Sequence, residues 1–183
     1  MKAIETYYNG YRFRSRLEAR VAKLLEGLEI KYEYEPEGFV LSDGTHYLPD
    51  FYLPESRSWL EVKGVMDDRS EHKINLFTNE GNLATVMFPD FSFKSSNQFG
   101  DNEPAPLSSE DESWLCECLN CGRKYFIGNI GIWSCPCCGY HDGDHGFIVL
   151  TSGDNKYSFY YKGHDLFKEA RDKARQARFE FDR

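Results

Sequence analysis

Two carboxylates and a lysine carry the first chemical signal: Asp50 in Tyr47-Leu48-Pro49-Asp50-Phe51, then Glu61 and Lys63 in Trp59-Leu60-Glu61-Val62-Lys63-Gly64. Both segments read as strands. On neighbouring strands, two carboxylates repel each other unless a cation lies between them, and oxygen ligands of this kind suit Mg²⁺ or Mn²⁺. Such a cation can polarise a phosphodiester oxygen, lower the pKa of a bound water and stabilise the charge that develops in an in-line displacement. Lys63 could position that water or the transition-state oxygens. A Glu-x-Lys triplet alone arises by chance roughly once in a chain of this size, so its surroundings must carry the argument.

Strand alternation puts Trp59, Glu61 and Lys63 on one face and Leu60 and Val62 on the other. Asp50 lies on the face opposite Pro49 and Phe51, where a hairpin partner could bring it beside Glu61. Pro49 removes a ladder donor and marks an edge or bulged position. Glu18 is a further candidate, at the edge of an apolar helical stripe. Ser15-Arg16-Leu17-Glu18 equally spells a capping box, in which Glu18 returns to the Ser15 amide. For Asp50, Glu61 and Lys63 the plain alternative is surface charge on a half-exposed strand. Glu and Lys are poor strand formers, however, and their place at the end of a Trp-Leu-x-Val run argues for a chemical reason.

The second signal is Cys118-Leu119-Asn120-Cys121-Gly122 with Cys135-Pro136-Cys137-Cys138-Gly139, two Cys-x-x-Cys-Gly knuckles spaced for tetrahedral Zn²⁺. Cys118, Cys121, Cys135 and Cys138 are the expected ligands. Cys116 and Cys137 are left over, and a shifted register or His141 or His145 could compete. Buried reduced cysteines acting as small hydrophobes do not account for paired spacing with a glycine after each pair. A ribbon this small cannot build its own core, so the zinc is expected to be structural, without an open coordination position. Tyr125, Phe126, Ile132 and Trp133 are expected to pack against the core formed by the first half of the chain rather than stack on bases.

The elements that must position these residues can be read in order. Asn9-Gly10 turns a small hairpin between Tyr7 and Phe13. Ser15 caps a helix whose stripe is Leu17, Val21, Leu24, Leu25 and Leu28, ending at about residues 27–29. Extended segments at 30–34, 45–53 and 59–63 form a meander, separated by Ser42-Asp43-Gly44 and Pro54-Glu55-Ser56. Asp67 or Asp68 starts a second helix running to about Glu80, and residues 83–88 form another strand. Residues 92–113, rich in Ser, Asn, Pro and acids, read as a linker or long loop. A strand at 156–161 and a helix at about 165–179 close the chain. On that helix Lys168, Arg171, Arg175 and Arg178 share a face that could follow a phosphate backbone, or could pair with Glu169, Asp172 and Glu180.

Composition bounds the reading. The chain has 183 residues, 40% hydrophobic and 16% aromatic, enough for a core of about 100 residues and a small accessory module. No apolar run approaches the ~20 residues needed to span a bilayer, and Met1-Lys2-Ala3-Ile4-Glu5 opens no secretory signal, so a soluble protein with reduced cysteines is expected. A net charge of −8 disfavours phosphate contacts unless basic residues are segregated or bound cations reverse the local field. Part of that charge lies between Asp101 and Glu112, with no Lys or Arg among them.

Taken with its element order, the first half of the chain resembles the PD-(D/E)XK nuclease superfamily, in the branch shared by restriction-endonuclease-like, resolvase-like and phage-encoded enzymes. The family pattern is an acidic residue on the first helix, a Pro-Asp strand and a Glu-x-Lys strand in an αβββαβ order. Here these are Glu18, Pro49-Asp50 and Glu61-Val62-Lys63, and the match extends to Arg14-Ser15-Arg16-Leu17-Glu18-Ala19-Arg20, Tyr34-Glu35-Pro36 and Tyr47-Leu48-Pro49-Asp50-Phe51. The resemblance implies that Asp50, Glu61 and the Val62 carbonyl hold Mg²⁺ or Mn²⁺ and that Glu18 and Lys63 serve catalysis. It also implies DNA as partner, double-stranded or branched, in the cytoplasm of a bacterium or phage-infected cell, with a homodimer as the form able to cut both strands. A non-catalytic DNA-binding or assembly module and an RNA-processing nuclease are the competing readings. The expected fold is α/β: a restriction-endonuclease-like core over residues 1–92, a linker over 93–113, a four-cysteine zinc ribbon over 114–150 and a strand and C-terminal helix over 151–183.

Overall fold

The structure, a computed structural model, describes residues 4–96, 107, 113–128, 135, 137–140, 147–152 and 164–179. Strands β1 (Thr6–Tyr8) and β2 (Tyr11–Phe13) pair through a two-residue turn in which Asn9 and Gly10 take φ of 47° and 80°, as the Asn-Gly signal requires. Helix α1 (Arg16–Gly27) begins at Ser15, whose side chain accepts the Glu18 amide, and buries Val21, Leu24 and Leu25. Phe13 and Leu28 are buried with them. Burying each such side chain contributes roughly 1.5–3 kcal/mol, which fixes α1 against the sheet beneath it.

That sheet has the order β3-β6-β7-β8-β9. Strand β3 (Glu33–Tyr34) is followed by an excursion, the separate hairpin of β4 (Phe39–Val40) and β5 (His46–Tyr47). The chain then returns to the sheet as β6 (Phe51–Leu53) and β7 (Ser58–Val62), antiparallel to each other. Helix α2 (Asp68–Asn79), capped by Asp67, crosses over to β8 (Ala84–Met87), parallel to β7. A parallel neighbour needs such a crossover, and all four β8 residues are buried, as expected for a strand covered on both faces. Strand β9 (Phe93–Ser95) forms the edge.

Two differences from the sequence expectation have physical causes. The single strand expected at 45–53 is split into β5 and β6 around Leu48-Pro49-Asp50, because Pro49 has no N–H for the ladder. The linker expected from residue 93 onward instead begins with β9: Phe93 and Ser95 are buried, and Ser95 Oγ bonds both Thr85 Oγ1 (3.1 Å) and the Phe126 carbonyl (3.3 Å).

A second sheet, ordered β11-β10-β12, contains β10 (Ser113–Cys118), β11 (Lys124–Gly128) and β12 (Phe147–Ser152). Its strands alternate between two cores. Leu115, Phe126 and Leu150 join the α1 core, while Trp114, Cys116, Tyr125, Ile127 and Val149 surround the cysteine cluster. Helix α3 (His164–Gln176) adds Phe167, Ala170 and Ala174 to the α1 core. Segments separated in the sequence reading therefore share one apolar cluster, and Phe93 meets Phe126 edge-on at 4.9 Å across the two sheets. The strand expected at 156–161 lies outside the described residues.

Candidate functional site

The β6–β7 register assembles the site. Phe51 pairs with Leu60 and Tyr52 with Trp59. One step further along, Asp50 comes beside Glu61 on the sheet face turned toward α2, where Trp59 packs against Phe77. Leu60 goes to the α1 side. Lys63 extends the β7–β8 ladder by one bond, its N–H donating to Met87 O at 3.0 Å. Glu18 approaches from α1. Glu18, Asp50, Glu61, Val62 and Lys63 thus line one cleft of about 560 Å³, together with Arg14, Tyr47 and residues at the start of α2.

Three carboxylates here are nearly inaccessible, Glu18 at 8% and Asp50 and Glu61 at 5% each. Asp50 Oδ2 accepts the Val62 N–H at 2.7 Å, and Oδ1 lies 3.2 Å from the Arg14 guanidinium. Burial, and then the Glu61 charge, raise the Asp50 pKa well above the ordinary carboxylate range, with Val62 N–H and Arg14 only partly opposing. Glu61 receives the Tyr47 hydroxyl on Oε2 at 3.0 Å and the Lys63 ammonium on Oε1. Burial and the adjoining Glu61 push the Tyr47 phenol far up, which keeps it a hydrogen-bond donor. Glu18 accepts from the Arg14 amide (3.1 Å), the Ser15 hydroxyl (2.6 Å) and the Tyr34 hydroxyl. The capping alternative is thus half realised: Ser15 Oγ accepts the Glu18 amide at 3.1 Å, but the Glu18 carboxylate closes on the Arg14 amide rather than that of Ser15.

Glu35 is a fourth acid in this environment. Its backbone has φ 45°, its amide donates to Asp50 O at 2.9 Å, and its carboxylate pairs with Arg14. Burial raises its pKa, Arg14 opposes, and the nearby charges of Glu18 and Glu61 add to the rise. The donor set fits a divalent cation: hard oxygens from Asp50 and Glu61 stand close enough for each charge to oppose the other, a conflict that a cation between them relieves. Sequence reasoning gave no role to Arg14, Tyr34, Glu35, Tyr47, Arg69 or Lys73. A usable signal existed for the last two, a basic pair spaced i, i+4 at the start of α2, and both line the cleft.

The cysteine cluster is built locally. The Sγ atoms of Cys118, Cys121, Cys135 and Cys138 all lie within 4.8 Å of one another, with Cys118–Cys138 at 3.8 Å and Cys121–Cys135 at 3.6 Å. Four sulfurs at ~2.3 Å around a tetrahedral centre would be separated by about 3.8 Å. Each knuckle closes in the same way: the Gly122 amide donates to Cys118 O (2.9 Å), that of Gly139 to Cys135 O (2.8 Å), with φ of 69° and 68°. The Asn120 amide and then the Tyr140 backbone N–H lower the Cys138 thiol to about 6, favouring thiolate. Neither Cys116, fully buried among apolar side chains that raise its thiol, nor Cys137 is in the set of sulfurs that lie within 4.8 Å of one another. Phe126 packs in the α1 core as expected, whereas Tyr125 packs in the core around the cysteines, its hydroxyl 3.2 Å from Cys135 Sγ. Ile132, Trp133, His141 and His145 lie outside the described residues.

The basic face expected on α3 is partly engaged elsewhere. Arg175 donates to Asp90 O at 2.7 Å and lies over the Phe91 ring, while Arg171 is 3.7 Å from Asp172. Among the described residues no helix is long and apolar enough to cross a membrane.

No family model matches the chain. It is 43% identical over 68 residues to Endodeoxyribonuclease 1 of Enterobacteria phage T3, covering 34% of this chain and 44% of that protein. It is 45% identical over 65 residues to Endonuclease I of Escherichia phage T7, covering 33% of this chain and 43% of that protein. The chain spans less than half the length of these curated relatives.

Proposed function

We propose that this chain is a divalent-metal-dependent endonuclease that hydrolyses DNA phosphodiester bonds, double-stranded or branched, through a PD-(D/E)XK site, in the cytoplasm of a phage-infected bacterium. The observation that carries this reading is the burial of Asp50 and Glu61 side by side in a cleft that Lys63 also lines, its ammonium on Glu61. Surface charge on a half-exposed strand would not be desolvated in this way. The partial similarity to two phage proteins named as endonucleases supports the same chemistry.

In this reading Asp50, Glu61 and the Val62 carbonyl hold Mg²⁺ or Mn²⁺, which when bound supplies Lewis-acid polarisation of the phosphate and an acidified water. Tyr47 and Lys63 bond the two oxygens of Glu61 and so fix its rotamer. The Val62 amide does the same for Asp50. Lys63, a quarter exposed, also presents its ammonium toward the cleft, where it can orient the attacking water or stabilise the transition-state oxygens. Glu18, held by Ser15 and Tyr34, adds a third carboxylate to the same wall. Arg14, His46, Arg69 and Lys73 line the cleft as well, which supports segregation of basic residues around the site in an acidic protein. The Cys118, Cys121, Cys135 and Cys138 tetrad holds a structural Zn²⁺. A homodimer places a second site for the other strand.

The test is cleavage of supercoiled plasmid and of labelled single-stranded and four-way-branched DNA in Mg²⁺, Mn²⁺ or EDTA, with wild type beside folded Lys63→Ala. Metal-dependent cutting by wild type, lost in the variant, is expected. Absence of cutting of every substrate by folded, zinc-loaded protein would overturn the catalytic reading. Elution as a monomer at micromolar concentration with and without DNA would remove the dimer.

A further inference from the structure

Arg14 sits on one oxygen of the carboxylate that a cation would use. Its guanidinium lies 3.2 Å from Asp50 Oδ1 and pairs with Glu35, while the other Asp50 oxygen is already taken by the Val62 amide. Oδ1 is thus the oxygen held by an exposed, displaceable side chain rather than by a backbone amide, and the one at which a cation and Arg14 would meet. The Arg14 side chain is 56% exposed against 7% for that of Asp50, so the guanidinium stands at the cleft mouth with one edge on a buried carboxylate and the other toward solvent. Its backbone is anchored independently of these ion pairs, because the Arg14 N–H is 3.1 Å from both Glu18 Oε2 and the Tyr34 hydroxyl. Glu35 is tied by its amide to Asp50 O, so it can retain the guanidinium near the cleft when Asp50 lets go.

A cation at Asp50 Oδ1 and the Arg14 guanidinium compete for one atom and repel each other. Building on the endonuclease reading, we propose that Arg14 is a phosphate-binding residue that couples cation binding to DNA binding. Without a cation it pairs with Asp50 and offsets part of its charge conflict with Glu61. With Asp50 committed to the cation, the displaced guanidinium turns its planar fork to a DNA phosphate, a geometry that guanidinium matches with two parallel hydrogen bonds. Arg69 and Lys73 on α2 receive the neighbouring phosphates: both line the cleft, and Arg69 is exposed with no carboxylate partner among the described residues. The coupling is reciprocal, so DNA also tightens the cation by drawing Arg14 off Asp50.

The experiment has two readouts besides cutting. Mn²⁺ is titrated calorimetrically into wild type, Arg14→Ala and Asp50→Asn without DNA. Binding of a labelled duplex in Mn²⁺ is then followed by anisotropy across a salt series, with and without the Arg14 change in a Lys63→Ala background that leaves the DNA intact. Arg14→Ala is expected to bind Mn²⁺ roughly three- to tenfold more tightly and DNA about tenfold more weakly, with the salt slope of DNA binding reduced by about 1. Arg14→Gln, which keeps an amide able to bond Asp50, is expected to show the same opposed changes and serves if the alanine variant does not fold. Arg14→Lys is expected to restore the salt slope. Unchanged Mn²⁺ affinity, an unchanged slope, or a parallel fall of both affinities would overturn the coupling while wild-type cutting and Asp50-dependent Mn²⁺ binding leave the endonuclease reading standing. Wild type that binds Mn²⁺ no better than Asp50→Asn and cuts no DNA would overturn both.

Discussion

The carboxylate cleft and the cysteine cluster each bring together groups able to ligate a metal, yet they are built in opposite ways. The cysteines come from two knuckles, each shaped by a few residues of local turn and glycine geometry, and the thiols converge among a small set of aromatic and aliphatic neighbours. The carboxylates come from α1, β6 and β7, and their positions follow from strand register and a large shared core. With zinc in place the cysteine site would contribute to its own fold, whereas the carboxylate site is imposed by strand register and the shared core. The difference is also electrostatic: Asp50 carries a conflict with Glu61 that Arg14 only partly offsets.

Removing ligands from the cluster should break this comparison most sharply. Cys118→Ser with Cys138→Ser is expected to lose bound zinc and to unfold the β10–β12 region, because structural zinc contributes on the order of 10 kcal/mol in small zinc domains. Metal analysis with thermal unfolding checks it, and retained stoichiometric zinc would refute the tetrad. The carboxylate site should behave in the opposite sense. Asp50→Asn or Glu61→Gln is expected to lower cleavage by about 10³-fold, a loss of metal-assisted catalysis, while circular dichroism keeps its folded form and Tm does not fall below wild type. A variant that loses activity only because it unfolds would show the two sites to be less different than their construction implies.

What could be read from sequence follows the same division. Cys-x-x-Cys-Gly is a short-range code, and the four cysteines found together are those named from spacing. Period-2 alternation likewise placed Glu61 and Trp59 on one face with Leu60 on the other, and Ser15 and Asp67 marked both early helix starts. The β4–β5 excursion was not legible, since Gly38 and Ser42-Asp43-Gly44 signal turns without saying which sheet the flanking residues join. Nor was β9, because its three residues lie at the start of a polar, acidic stretch and gain their strand character from pairing with β8. Arg14, Glu35 and Tyr47 belong to the site through long-range contacts, separated from Asp50 or Glu61 by 36, 15 and 14 positions, that no local pattern encodes.

A pH series sharpens the electrostatic half of the contrast. The folded-state pKa of Asp50 is raised above its ordinary 3.8 by burial and by Glu61, so the folded chain holds this proton more tightly than the unfolded chain. Stability from this group is therefore greatest below about pH 4 and declines as pH rises from there through the folded-state pKa. Without added divalent cation the Tm difference between Asp50→Asn and wild type should grow in favour of the variant over that window, by several degrees, since ~1 kcal/mol moves Tm by about 2–4 °C at this size. Saturating Mg²⁺ or Mn²⁺ should shrink the difference at neutral pH, because a ligand of the folded state alone stabilises it. A difference independent of pH, with or without cation, would mean that Asp50 and Glu61 do not oppose each other.

The smallest expected effect tests whether the fold itself holds the acidic site in shape. Tyr47 reaches Glu61 from the β4–β5 hairpin, not from the sheet, and its ring packs edge-on against Phe77 of α2 at 5.0 Å. Tyr47→Phe keeps that ring and removes one hydroxyl, so the stability change should be within about 1 kcal/mol. Freed of one of its two partners, Glu61 can swing toward Lys63 alone, which loosens its orientation in the cleft. Cleavage should then fall by roughly threefold to tenfold, with a parallel loss of Mn²⁺ affinity. Cleavage lost with Mn²⁺ affinity intact would instead put the Tyr47 hydroxyl on the reacting phosphate. If neither changes, Lys63 and packing suffice to fix Glu61, and the hairpin contributes to the cleft only through its walls.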